Sequence, residues 1–267
     1  MMINVAKQAC EASIQAFCSG SGDFHEFGLN SVKNYEWPKK GPSLDELIAV
    51  YDAKFQLDGK TNYEKNVSLK LELSKKFHAN DLDVNRISKW IIMSWGGIKT
   101  LSKKIDDYIY CVETKSYPDY LDGVASYSKL FAMFYPKEFA IYDARVAVSL
   151  NVIQLLSDEK NALFFPYLSG RNKVTGDQTS GRGFSNIYDF KKNQIEATSQ
   201  KHWEFNQRKD VYKIYNEILS EICKKNNWDL WDIEMLLFAK AEELVLKISK
   251  SVRYRDVDWS PVKSSDV

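Results

Sequence analysis

The chain has few side chains that could hold a metal. Its 267 residues include three isolated histidines and only four cysteines, and the cysteines show no C-x-x-C spacing: Cys10, Cys18, Cys111 and Cys223. Zinc sites need such ligands at short, regular intervals. We therefore expect no metal bound by side chains. We also expect reduced thiols, as in the cytoplasm.

Long apolar runs and an excess of one charge are also missing. No stretch approaches the ~18 apolar residues of a membrane span, and the N-terminus lacks a positive region followed by an unbroken apolar segment. The 37 Lys and Arg residues almost balance 36 Asp and Glu residues, so net charge gives no general attraction to nucleic acid. These features predict a cytoplasmic monomer without a membrane partner, whose basic surface is local.

Glycine and proline are scarce, whereas apolar residues recur at helical spacing. The pattern predicts amphipathic helices over 82–91 and 98–109, joined at Trp95-Gly96-Gly97, and C-terminal helices within 206–250. Ser43 follows Pro42 and precedes two acids, which is typical of a helix start. Strand signals are sparse. The sequence predicts an all-α fold, a single globular helical array of about nine or ten helices that spans residues 1–267.

Residues 169–201 differ from the rest of the chain. They are rich in Gly, Ser, Thr and Asn, and they lack apolar periodicity. Such a long polar loop is either a solvated insertion or a functional segment. Its basic residues Arg171, Lys173 and Arg182 are candidate contacts to DNA phosphates.

The segment 98–151 carries the most informative motif. A helical run over 98–115 leads to a tight turn at Leu121-Asp122-Gly123-Val124-Ala125, and a second helix follows from Ser126 to Phe134. Pro136 ends that helix, residues 139–142 are extended, and Asp143 opens the next helix at the position of an N-cap. The order is helix, hairpin, helix, aspartate.

These residues resemble the helix-hairpin-helix DNA glycosylase superfamily, in which an L-P-G-V-G hairpin precedes a V-D-x-H/R-V segment with the catalytic aspartate. Leu121 to Ala125 is similar to that hairpin, and Ala140-Ile141-Tyr142-Asp143-Ala144-Arg145-Val146 is similar to that segment. The nearest pattern is that of archaeal-type 8-oxoguanine glycosylases. The resemblance covers about 35 residues and implies a two-lobed, DNA-glycosylase-like helical bundle.

The resemblance also implies roles for individual residues. The backbone of Leu121, Gly123 and Ala125 would grip a DNA phosphate, with an alkali cation as the only cofactor. Asp143 would stabilise an oxocarbenium-like sugar or activate water while the N-glycosidic bond breaks. A helix cap is the alternative role of Asp143.

The sequence departs from the family pattern at three places. Asp122 stands where the family's hairpin has a proline, and Ala125 stands where it has the second glycine. The lysine that forms a Schiff base in some members is replaced by Tyr127 or by Ala125, depending on the alignment. Lys129 lies two residues beyond the first of these positions and is the remaining candidate nucleophile.

Other candidate residues surround this motif. Trp95, Tyr127 and Tyr142 are predicted to line the base pocket, because a flipped base is held between flat side chains. Lys99, Lys103 and Lys104 could contact phosphates or form a solvated face. Arg145 could bind phosphate, hold Asp143 or pair with an acid on the surface. Asp232 and Glu234 are expected at the surface.

Together these features predict a monofunctional DNA glycosylase that flips and excises a modified base from double-stranded DNA and leaves an abasic site. By family analogy the base could be a bulky, phage-type modified cytosine, which would imply antiphage defence. The alternatives are a non-catalytic helix-hairpin-helix DNA-binding module and a helical protein without a nucleic-acid role.

Overall fold

A computed structural model describes residues 2–37, 42–52, 55–166, 168 and 201–250, and this part is mostly helical. The N-terminal helices are α1 (Met2–Ser19), α2 (Leu44–Tyr51) and α3 (Asn62–His78), with 3-10 turns at Gly22–Phe24 and Leu29–Asn34. The middle contains α4 (Val84–Trp90), a π-helical turn (Ile91–Trp95), α5 (Ile105–Glu113), α6 (Val124–Phe134) and α7 (Ala144–Leu156). The last elements are β1 (Asn161–Phe164), β2 (His202–Phe205), a 3-10 turn (Arg208–Asp210), α8 (Val211–Asn226) and α9 (Leu230–Lys250).

The mostly helical prediction is confirmed, with one addition. Strands β1 and β2 form a short parallel pair in the register Asn161 to His202 and Phe164 to Phe205. The apolar run Ala162 to Phe165 ends at Pro166 and is too short for a helix. The Gln154 side chain on α7 bonds both the N–H and the carbonyl of Leu163, at 2.7 and 2.9 Å, and so replaces a third strand.

Two predicted helix starts are confirmed by their caps. Ser43 and Glu46 form a capping box at α2, in which each side chain bonds the backbone of the other residue. Asp143 caps α7, as its position in the sequence predicts. Both caps satisfy N–H groups that a helix leaves without an internal partner.

The helix predicted over 98–115 is wrong in its first half, because α5 begins only at Ile105. The π-helical turn widens the end of α4, and Gly97 then takes a positive φ of 66°, a conformation that directs the chain away from a right-handed helix. Apolar residues thus recur at helical spacing before Ile105, although that part of the chain does not form a helix.

Helix α7 is the central element of the core. Every residue from Val146 to Leu156 is buried, as expected for a helix surrounded by other elements. Helix α9 packs along α7, and α1 and β1 also contact it. The N-terminus of α7, with Asp143, is thus held by the best-packed part of the protein.

No helix in the described part of the chain is long and apolar enough to cross a membrane.

Candidate functional site

A pocket lies at the N-terminal end of α7. Four aromatic side chains, one lysine with two acids, and three smaller residues line it: Tyr35, Trp37, Trp95 and Phe238; Lys129, Asp143 and Glu234; Gly96, Ile141 and Val146. These residues come from segments that are far apart in the sequence. Among them are three predicted site residues, namely Asp143, Lys129 and Trp95.

The pocket is small in this structure. Its cavity volume is about 40 Å³, which is room for roughly three water molecules at ~10–15 Å³ each. Pockets that bind organic ligands usually measure ~300–1,000 Å³. A nucleobase could enter only if one of the walls moved.

The extended segment 139–143 brings Asp143 to the pocket, and helix α8 fixes the first part of it. The N–H of Ala140 donates to Asn216 Oδ1 at 2.8 Å, and the Tyr212 hydroxyl donates to the Ala140 carbonyl at 3.1 Å. The Tyr215 hydroxyl donates to the Ile141 carbonyl at 3.0 Å. Side chains therefore satisfy the backbone of a segment that has no ladder of its own.

The end of this segment is held from α6 and from the residues that follow β1. The Tyr142 N–H donates to Ser128 Oγ at 3.1 Å, and the Ser128 hydroxyl bonds the Tyr142 carbonyl at 3.3 Å. The Tyr142 hydroxyl donates to the carbonyl of Pro166 at 2.7 Å. Asp143 follows directly, so its backbone position is closely defined.

One oxygen of Asp143 serves the helix, and the other has no protein partner in the described residues. Oδ1 accepts the N–H groups of Arg145 and Val146, at 3.0 and 3.1 Å. No other hydrogen bond is formed by this half-buried carboxylate among the residues described. Asp143 is therefore a helix cap whose Oδ2 remains available to a ligand.

Lys129 reaches the same pocket from α6. Its side chain is buried, and its Nζ donates to the carbonyl of Ala125, at the start of that helix. Burial lowers the pKa of Lys129, while the negative charges of Asp143 and Glu234 act in the opposite direction. An amine in such surroundings loses its proton more readily than an exposed lysine does.

Glu234 is buried at the pocket, so the prediction of a surface position was wrong. Its Oε1 accepts from Lys70 Nζ at 2.6 Å, and its Oε2 accepts from the N–H of Ile141 at 2.9 Å. The exposed fractions of the two side chains are 5% for Glu234 and 1% for Lys70. A signal existed in the sequence: Glu234 lies four residues after Leu230 and three before Leu237, on the apolar stripe of α9.

The aromatic wall is held by a network around the buried Asn66. The Trp95 Nε1–H donates to Asn66 Oδ1 at 3.0 Å, and Asn66 Nδ2 donates to the Trp37 carbonyl at 2.9 Å. The Trp37 Nε1–H donates to the Trp95 carbonyl at 3.1 Å. Trp37 also packs edge-on against Trp95 and against Phe238, with ring centroids 6.4 and 5.3 Å away.

The two other aromatic residues predicted for the base pocket lie elsewhere. The ring of Tyr127 is buried between Tyr108 and Tyr212, and its hydroxyl donates to the Tyr120 carbonyl at 2.9 Å. Tyr142 is also buried and points towards Pro166. Both side chains are part of the core because they fall on inward-facing positions of their segments.

The turn before α6 is tight at Gly123. Gly123 has a φ of 83°, and a Cβ atom at this position would lie 2.0 Å from the hydroxyl oxygen of Tyr108. Glycine is therefore required twice, for the backbone conformation and for the close approach. The side chain of Leu121 is buried, so only its backbone could contact DNA.

Asp122 projects from this turn, and the guanidinium of Arg208 lies beside it. Its side chain is 83% exposed, and Arg208 Nη2 lies 3.4 Å from its Oδ1. Nearby, Lys104 Nζ lies 4.0 Å from the centre of the Tyr120 ring. Arg208 offsets the negative charge that the sequence places in the hairpin.

The side chain of Arg145 does not bond Asp143; only its backbone N–H does. Its guanidinium pairs with Glu242 and lies 4.9 Å from the centre of the Phe238 ring. Of the alternatives, pairing with an acid is the one that the structure contains.

The remaining predicted DNA contacts divide into two groups. Lys99, Lys103 and Lys104 are exposed between the π-helical turn and α5. Arg171, Lys173 and Arg182 lie outside the described residues, as does the polar loop up to residue 200. Lys201, the last residue of that loop, is buried, and its Nζ donates to the carbonyls of Ser157 and Glu159.

Within the described residues, no group of three or more His, Cys, Asp or Glu side chains is placed to hold a metal ion. Comparison of the chain with family models, with curated proteins and with solved structures gave no match. The site must therefore be interpreted from its own chemistry.

Proposed function

We propose that the chain is a DNA N-glycosylase that flips a modified base into the pocket and hydrolyses its N-glycosidic bond, leaving an abasic site. The observation that carries this proposal is the position of Asp143. Its carboxylate lines an aromatic pocket at the start of a buried helix, and its Oδ2 is available. The helix-hairpin-helix motif and the glycosylase-like arrangement of helices belong to the same proposal.

The proposed reaction needs a negative charge beside the sugar. As the bond from C1′ to the base breaks, the base leaves with the electron pair and the sugar becomes oxocarbenium-like. Asp143 Oδ2 would stabilise that positive charge and accept a proton from the water that adds to C1′. Oδ1 stays on the helix N–H groups, which keeps the carboxylate in one orientation.

The aromatic wall suits a flat, extruded base. Trp37, Trp95 and Phe238 offer faces and edges for stacking. Gly96 lets the Lys129 side chain pack closely, because a Cβ atom there would lie 2.8 Å from Lys129 Cδ. Because the cavity is only about 40 Å³, base entry requires a wall to move. Trp37 and Phe238 are only partly buried, whereas Trp95 is deeply buried, so the opening would involve the first two.

The hairpin and the lysines beside it would contact the DNA backbone. The N–H groups of Val124, Ser126 and Tyr127 already donate to the carbonyls of Leu121 and Gly123. A phosphate at this turn would therefore be bound by the remaining backbone groups and by the positive end of the α6 dipole. Lys99, Lys103 and Lys104 are exposed and could reach phosphates, Lys104 by leaving the face of the Tyr120 ring. The substrate in this proposal is double-stranded DNA, and the hairpin cation remains part of the proposal.

Lys129 supports a second candidate activity, strand cleavage at the abasic site. Its Nζ is in the pocket with Asp143, and its lowered pKa favours the neutral amine. A neutral amine could attack C1′ as the base leaves and form a Schiff base, which borohydride reduces to a stable protein–DNA link.

The deciding experiment uses duplexes that carry one oxidised, deaminated, alkylated or glucosylated base. The purified protein is incubated with each duplex, and alkali then cleaves any abasic site. Asp143→Asn and Asp45→Asn are tested alongside; Asp45 is an exposed acid on α2 and serves as the matched control. Borohydride is added in a parallel reaction with wild type and with Lys129→Met.

The proposal expects alkali-dependent cleavage by wild type and by Asp45→Asn, and none by Asp143→Asn. Cleavage without alkali, with a borohydride link that Lys129→Met abolishes, would establish the lyase step instead. If the wild type binds duplexes but releases no base from any of them, the chain is a helix-hairpin-helix binding module and the proposed catalysis is wrong.

A further inference from the structure

The Lys70–Glu234 ion pair is the most deeply buried pair of charges in the described residues. It connects three elements: Lys70 belongs to α3, Glu234 belongs to α9, and Glu234 also accepts the N–H of Ile141, two residues before Asp143. Glu234 lines the pocket as well. We propose that this pair is a positioning element of the site, which fixes the backbone before Asp143 and supplies the negative charge that faces Lys129.

The geometry separates this role from simple stabilisation. The two oxygens of Glu234 have different partners, since Oε1 holds the lysine and Oε2 holds the segment that carries Asp143. Oε2 thereby satisfies a buried N–H group of the segment that carries Asp143. Replacement of a buried ion pair by apolar residues of similar volume is often neutral or stabilising, so stability alone does not account for a charged pair at this position.

The charge of Glu234 acts on the groups around Lys129. The ionisable groups that face this pocket are Asp143 at the start of α7, Glu234 on α9 and Tyr35 after the second 3-10 turn. The charges of Asp143 and Glu234 both raise the pKa of Lys129 against the effect of burial. Burial and the same two carboxylates raise the pKa of Tyr35, so Tyr35 stays neutral.

The inference rests on the proposed function for its kinetic part only. We expect a displaced Ile141 to move Asp143 away from the sugar, and a misplacement of about 1 Å can lower a rate by ~100-fold. The effect on Lys129 can be measured without any substrate.

The test compares three variants of the full chain with wild type. Glu234→Gln keeps an oxygen for the Ile141 N–H and removes the charge. Lys70→Met/Glu234→Leu removes the whole pair and avoids an unpaired buried charge, so it remains informative if the single variant does not fold. Asp45→Asn breaks the exposed pair with Lys65, another lysine of α3, and is the matched control.

The first readout is an NMR titration of lysine side chains, in which the Lys129 signal is assigned by its loss in Lys129→Met. We expect the pKa of Lys129 to fall in Glu234→Gln, to fall less in the double variant, which also removes the positive charge of Lys70, and to stay unchanged in Asp45→Asn. The second readout is the single-turnover rate of base release, which we expect to fall by ~100-fold in the double variant with little change in DNA affinity.

An unchanged Lys129 titration in both pocket variants would overturn the inference, as would a double variant that releases base at the wild-type rate. If wild type releases no base from any DNA, the proposed function fails. The lysine titration still judges the positioning role in that case, so the two failures can be distinguished.

Discussion

Replacement of Asp143 by asparagine separates the two roles of one side chain. Oδ1 accepts two N–H groups of α7, at 3.0 and 3.1 Å, and an asparagine carbonyl oxygen can accept the same two. Asparagine and aspartate are about equally good N-caps, so we expect the free energy of unfolding to change by only a few tenths of a kcal/mol. Asp143→Ala removes the acceptor and should cost about 1 kcal/mol.

Base release, unlike stability, should depend strongly on the negative charge of Asp143. Asparagine has no negative charge to stabilise the sugar and cannot take a proton from water. Loss of a general base typically lowers a rate by ~10²–10⁴-fold. Asp143→Asn should therefore lose nearly all activity at nearly wild-type stability. Asp143→Ala should lose nearly all activity and also about 1 kcal/mol of stability.

Thermal unfolding and single-turnover base release measure the two effects on the same preparations. For a protein of this size, 1 kcal/mol corresponds to a shift of roughly 2–4 °C in Tm. We expect that shift in Asp143→Ala and almost none in Asp143→Asn. Base release by Asp143→Asn at close to the wild-type rate would refute the reasoning, because Asp143 would then be a helix cap alone.

Three further predictions concern the hairpin, the buried lysine and the basic surface. Gly123→Ala should destabilise the protein by about 2–4 kcal/mol in urea unfolding, because of the positive φ and the close Tyr108 hydroxyl. In a Tyr108→Phe protein the same substitution should cost less. An equal cost with Tyr108 and with Phe at this position would contradict the clash. Because the pKa of Lys129 is lowered in the folded protein, the unfolded chain binds the proton of this lysine more readily. The free energy of unfolding of the wild type, relative to Lys129→Met, should therefore rise with pH between the lowered pKa and the usual 10.5. A fall of this free energy in urea unfolding across that pH window would show that the pKa is shifted in the opposite direction. Replacing the three exposed lysines before α5, Lys99, Lys103 and Lys104, by glutamine should reduce the slope of log DNA affinity against log salt by up to ~3, about 0.9 per phosphate contact. The control Lys160→Gln should leave the slope unchanged. Equal slopes for the wild type and the lysine variant would show that these lysines do not contact DNA.

The local features of the chain were predictable because each depends on neighbours in sequence. Asp143 was predicted as a helix cap from its place before an apolar-periodic run, and it caps α7. Gly123 was predicted in a tight turn and has a positive φ. Ser43 was predicted at a helix start and forms a capping box.

Where the local pattern was ambiguous, packing decided the structure. Apolar spacing over 98–109 favoured a helix, yet the π-helical turn and Gly97 interrupt it until Ile105. Tyr127 and Tyr142 were predicted at the base pocket from their nearness to the motif in sequence. Both face the core, because the rotation of a segment about its axis is set by what it packs against.

The sequence by itself determined a mostly helical chain, the cap at Asp143, the glycine turn and Trp95 as a pocket candidate. The tertiary structure alone decided the rest of the pocket: it brought Lys129 to Asp143, assembled Tyr35, Trp37 and Phe238 around them, and buried Glu234 with Lys70. Helix and turn signals act over a few residues and are contained in the local pattern. A pocket is formed by residues from distant segments, such as Tyr35 and Phe238, and their meeting depends on how the helices pack.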